Sequence, residues 1–120
     1  DKDSSTRIEF RSPDPACNPY LAFALMLAAG MKGVEEEYEL PEEATNNIFE
    51  MTAAARTAAG IDLLPQSLAE ALDVMEGSEL VADALGEHVH DYFIRNKRRE
   101  WDSYKEQVTP WELDRYLGSL

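Results

Sequence analysis

The chain has 120 residues, enough for one domain with a modest core, and its 44% hydrophobic content is ordinary for a soluble globular protein. Against 11 Lys and Arg stand 24 Asp and Glu, a formal net charge of −13, which argues against nucleic acid or an anionic membrane as a partner. The single cysteine, Cys17, excludes an internal disulfide and suits a reducing compartment, and the longest apolar run, Tyr20 to Ala29, is too short to cross a bilayer.

The first residues, Asp1-Lys2-Asp3-Ser4-Ser5-Thr6, are polar and do not form a basic-then-apolar leader. Arg7-Ile8-Glu9-Phe10-Arg11 follows with strict alternation, the pattern of a strand. In a strand, Arg7, Glu9 and Arg11 share one face, and Ile8 and Phe10 turn the other way into a core. A carboxylate between two guanidiniums stays ionised, and arginines grip phosphate or carboxylate bidentately. Such a row suits a metal and an anionic substrate. It equally suits a surface ion-pair ladder, the reading that alternation alone favours. A lone strand has nothing to pair with, and no initiator methionine precedes it. The chain is therefore expected to be a piece of a larger protein.

Ser12-Pro13-Asp14-Pro15 breaks the strand. Asn18 then caps a helix that opens with Pro19. Tyr20 to Met31 is apolar nearly all round, which predicts a helix buried on every side, with Gly30 and Gly33 as terminators. Glu35-Glu36-Glu37 is an acidic linker, and Pro41-Glu42-Glu43 continues the loop. Thr52 caps a short Ala-rich helix to Ala59, ended by Gly60. Ser67 and Glu70 form a capping box for a helix whose apolar stripe is Leu68, Ala71, Leu72 and Met75, and Gly77 ends it. Ser78 caps the next short helix, which stops at Gly86. The longest helix is expected from Glu87 to Val108, carrying Val89, Phe93, Trp101, Tyr104 and Val108. Thr109 and Glu112 form a second capping box for a last short helix to about Leu117.

Three further features invite a functional reading. His88 and His90 are two apart on a helix, so they do not share a face, and they read as surface histidines rather than a zinc site. Arg95-Asn96-Lys97-Arg98-Arg99 reads as a solvated helix face in so acidic a chain. Cys17 precedes a helix start, a position that can activate a thiol, but with no base partner in view it reads as a packed thiol.

The run from Arg7 to Ala22, RIEFRSPDPACNPYLA, closely resembles the C-terminal signature of type I (bacterial and archaeal) glutamine synthetases. Further segments extend the likeness in order along essentially the whole chain: Ala28 to Gly33, Asn47 to Met51, Gly60 to Asp62, Leu64 to Leu68, and Val108 to Glu112 with Arg115 and Tyr116. The long signature is far more specific than a lone glycine motif. It implies an α+β fold class: a predominantly helical C-terminal fragment of the catalytic domain over residues 1–120, with one or two N-terminal strands. The N-terminal domain and most of the catalytic barrel would then lie elsewhere.

The resemblance also implies roles. Glu9 matches a glutamate that ligates one of two divalent cations, Mg²⁺ or Mn²⁺, which bridge nucleotide phosphates. Arg11 matches an arginine that contacts the glutamate substrate and neutralises the transferring phosphoryl group, a catalytic and substrate-binding role. Arg7 matches a residue on the nucleotide side. The reaction implied is glutamine formation from glutamate, ammonia and ATP through a γ-glutamyl phosphate, in the cytoplasm. The assembly implied is two stacked hexameric rings with C-terminal tail contacts, in which Trp111, Tyr116 and Leu117 take part.

Departures from the family also bear on function. Some members carry an adenylylated tyrosine where Phe49 stands, so that control is expected to be absent. Ser4 stands where some members have a nucleotide-contacting lysine. The remaining metal ligands, glutamate contacts and ammonia-site acid fall outside these residues, so the fragment alone is expected to be inactive. Two alternatives stay open at this point: a related ligase joining glutamate to a polyamine or other amine, and a non-enzymatic acidic helical interaction module.

Overall fold

Six α-helices carry the regular structure of residues 6–119, the part described by this computed structural model. They are α1 (Pro19–Glu35), α2 (Ala53–Ala58), α3 (Leu68–Glu76), α4 (Glu79–Leu85), α5 (Glu87–Lys105) and α6 (Pro110–Tyr116), with short 3-10 turns at Ile48–Glu50 and Leu117–Ser119. The chain divides into two units, residues 1–64 and 65–120.

In the first unit the expected N-terminal strand is absent. Arg7 to Arg11 has no strand assignment, and no strand occurs among the described residues. The α+β expectation is thus corrected to a helical chain over this range. The reason is physical: ladder bonds need a neighbouring strand, and alternation of side chains cannot create one. Ile8 is 97% exposed and Phe10 is 62% exposed, so neither enters a core.

An Asx turn steers the chain out of this segment. The Asp14 carboxylate accepts from the Ala16 amide at 2.7 Å, and its carbonyl accepts from the Cys17 amide at 3.0 Å. Asn18 then caps α1, its side-chain oxygen accepting from the Tyr20 amide at 3.0 Å, with Pro19 at the first position. The helix runs through Gly30 and Gly33, the two expected terminators, and ends at Glu35. A glycine costs an α-helix only about 1 kcal/mol, too little to stop one that its neighbours propagate.

What stops α1 is a Schellman cap built on a glutamate. Glu37 takes φ +53°, the Tyr38 amide donates to the Gly33 carbonyl at 2.9 Å, and the Glu37 amide donates to Val34 at 3.4 Å. Apolar as it is, α1 buries no residue in this unit, and Tyr20, Phe23, Leu27, Met31 and Val34 form an exposed stripe at helical spacing. The expected burial on every side is not met.

Beyond an exposed acidic stretch, Asn47 pins the turn at Ile48–Glu50, its carbonyl oxygen accepting from Phe49 N at 3.2 Å and its amide donating to Glu50 at 2.9 Å. Thr52 caps α2, and the Arg56 guanidinium donates to the Met51 carbonyl at 2.7 Å. Gly60, at φ +67°, closes α2 with a second Schellman cap, the Ile61 amide donating to the Arg56 carbonyl at 2.9 Å.

The second unit has a small core. Both α3 and α4 pack on α5. Among the described residues the buried side chains are Leu72 at 2% exposure, Ile94 at 6% and His90 at 8%. The Leu68, Ala71, Leu72 and Met75 stripe of α3 is half-buried to buried, as its spacing predicts. Ser67 caps α3 as expected, but the Glu70 carboxylate accepts from the Gln66 amide at 2.8 Å, one residue before the N-cap. Gly86, at φ +73°, is the single-residue corner between α4 and α5, a conformation that favours glycine over any residue with a Cβ. The α5 helix ends at Lys105, short of the expected Val108, and the Gln107 side chain donates back to the Ser103 carbonyl at 3.1 Å.

Two residues on α5 depart from their expected surface roles. His90 lies in the core, its Nε2 3.4 Å from the Met75 carbonyl and its Nδ1 3.8 Å from the Asp91 carboxylate. His88 is exposed. Arg98, expected on a solvated face, reaches α3 and donates through one Nη2 to Asp73 at 2.5 Å and Glu76 at 2.8 Å. The hydrogen bond to Asp73, then that to Glu76, raise its already high pKa.

Candidate functional site

The segment from Arg7 to Arg11 keeps part of its expected geometry without strand pairing. The Arg11 guanidinium donates to the Glu9 carboxylate, Nη2 to Oε1 at 2.9 Å. Their side chains are 80% and 55% exposed, so the pair lies in water and contributes little to stability. Arg7 is exposed on the same segment. The structure thus brings Glu9 and Arg11 together, and the Asx turn at Asp14 links their segment to the start of α1.

What this edge can do follows from its atoms. A carboxylate has two oxygens, so a hard divalent cation can be held at Glu9 while Arg11 stays bonded to it. The guanidinium has five N–H donors in a planar fork, enough to hold Glu9 and an anionic group together. The donor set therefore fits Mg²⁺ or Mn²⁺ in kind, but it does not suffice in number. Among the described residues no group of three or more His, Cys, Asp or Glu side chains is placed to hold a metal. Cys17 is exposed rather than packed.

A second surface feature lies at the elbow between α5 and α6. Tyr104, Lys105, Gln107, Thr109, Trp111 and Glu112 line an open cleft of about 270 Å³. The capping box is complete here: the Glu112 amide donates to Thr109 Oγ1 at 3.2 Å, and the Thr109 amide donates to Glu112 Oε2 at 2.7 Å. The Thr109 amide, and then its hydroxyl at 2.8 Å, hold the Glu112 carboxyl below its ordinary pKa. Trp111 meets Tyr116 edge to face, ring centroids 6.0 Å apart. Both rings and Leu117 stay more than half exposed. The resemblance singles out these three residues, whereas the cleft beside them depends on the elbow and has no local sequence signal. Phe49, with 98% of its surface exposed, stands on the pinned turn after Asn47.

A guanidinium bonded to a carboxylate leaves donors that an anion could accept and a second carboxylate oxygen that a hard cation could share. Residues 1–116 match the family described as glutamine synthetase, catalytic domain, and the chain belongs to that family. It is similar to a protein named glutamine synthetase from Mycolicibacterium smegmatis, with 59% identity over 117 residues, covering 98% of this chain and 26% of the relative. A glutamine synthetase from Mycobacterium tuberculosis is 58% identical over the same shares. One from the archaeon Methanosarcina mazei is 54% identical over 118 residues. The chain spans about a quarter of the length of these relatives. No helix among the described residues is long and apolar enough to cross a membrane.

Proposed function

We propose that this chain is the C-terminal part of the catalytic domain of a cytoplasmic, ATP-dependent glutamate–ammonia ligase that makes glutamine. The observation that carries the reading is identity of 54–59% over 98% of the chain to proteins named glutamine synthetase, from both bacteria and an archaeon. The exposed Arg11–Glu9 pair is chemically suited to that activity.

In this reading Glu9 holds one divalent cation, Mg²⁺ or Mn²⁺, jointly with residues outside this chain. When bound, the metal supplies positive charge to the nucleotide phosphates. Arg11 holds Glu9 in place and presents its remaining donors to the glutamate side chain. There it offsets the negative charge of the phosphoryl group passing from ATP to the γ-carboxylate. Ammonia then displaces phosphate from the acyl phosphate, giving glutamine. Arg7 binds on the nucleotide side, where a guanidinium meets phosphate oxygens well. One carboxylate cannot hold a two-metal site, so the chain alone is inactive. The absence of a hydroxyl at Phe49 removes adenylylation there as a control.

In the assembly of two stacked hexameric rings, the exposed Trp111, Tyr116 and Leu117 are the tail contacts; aromatic anchors on a capped short helix suit that use. The test is an assay of the full-length protein with glutamate, ATP and ammonia, with polyamines as competing acceptors. Glutamine formation that polyamines do not divert supports the proposal. γ-Glutamyl polyamine as the main product would replace the acceptor, and no ATP-dependent product at all would overturn the ligase reading.

A further inference from the structure

We draw no further inference here: the strongest candidate, the exposed apolar stripe of α1 formed by Tyr20, Phe23, Leu27, Met31 and Val34, carries nothing because the structure does not show what covers it and its burial by the rest of the catalytic domain restates an established property of the family.

Discussion

Arg98 on α5 and Asp73 on α3 are 25 positions apart in the chain and 2.5 Å apart in space, through Nη2 and Oδ1. The same nitrogen also meets Glu76 at 2.8 Å, so one guanidinium fastens the last turns of α3 to the middle of α5. A branched contact orders one long side chain for two carboxylates, which lowers the entropy lost per bond relative to two separate pairs. Arg98→Gln is expected to lower the thermal midpoint modestly at low salt, and by less as added salt screens the clamp in the wild type. Identical salt dependence in the variant, measured by circular dichroism melts, would remove the clamp from the account.

The core beneath that clamp is small, which makes it sensitive. Leu72→Ala deletes the most deeply buried side chain, and such truncations cost about 2–5 kcal/mol. With Leu72 and Ile94 as the buried apolar side chains among the described residues, that loss is expected to melt the packing of α3 and α4 on α5 at room temperature. Far-ultraviolet circular dichroism and amide exchange on α5 check it; native-like exchange protection in the variant would contradict it.

The capping box of α6 gives a pH dependence with a definite sign. The folded-state pKa of Glu112 lies below its ordinary 4.5, chiefly through the hydrogen bond from the Thr109 amide. A depressed carboxyl contributes stability that is present above the unfolded pKa and is lost as pH falls through the folded one. Fraying of α6 is therefore expected to set in below about pH 4.5 and to deepen as the pH drops further. The Glu112→Gln variant keeps an acceptor and is expected to lose that acid dependence. Trp111 fluorescence followed from pH 6 to about pH 2 reads both outcomes.

Glu37 occupies a left-handed backbone position that usually belongs to glycine. Left-handed geometry costs a residue with a Cβ roughly 1–2 kcal/mol. Glu37→Gly is expected to recover part of this and to reduce fraying at the end of α1. Faster amide exchange at Tyr38, whose N–H closes the cap, would run against that expectation.

These contacts show what a sequence can and cannot disclose. Asn18, Thr52, Ser67, Ser78 and Thr109 all cap the helices that their positions announce, because a cap is a bond across two or three residues. The end of α1 was less legible, since glycine permits a stop without enforcing one, and the actual cap uses a glutamate. Arg7–Arg11 forms no strand despite its alternation because pairing is non-local. The burial of His90 and the ion pairs of Arg98 are hidden from local pattern for a related reason: their partners lie on α3, more than a dozen residues away in the chain. At the candidate site, the ladder of charges was visible as a pattern, and the Arg11–Glu9 contact follows it. Metal and substrate roles came from the long signature, since an exposed ion pair carries no label of its own.

The most direct test of the central claim is phosphate release from ATP by the full-length protein carrying Glu9→Gln, with glutamate and ammonia saturating and Mg²⁺ or Mn²⁺ titrated. The account predicts turnover reduced by about 10²-fold or more, a raised metal requirement and an unchanged oligomer by light scattering. Wild-type turnover with the wild-type metal requirement would take Glu9 out of the metal site and contradict the account.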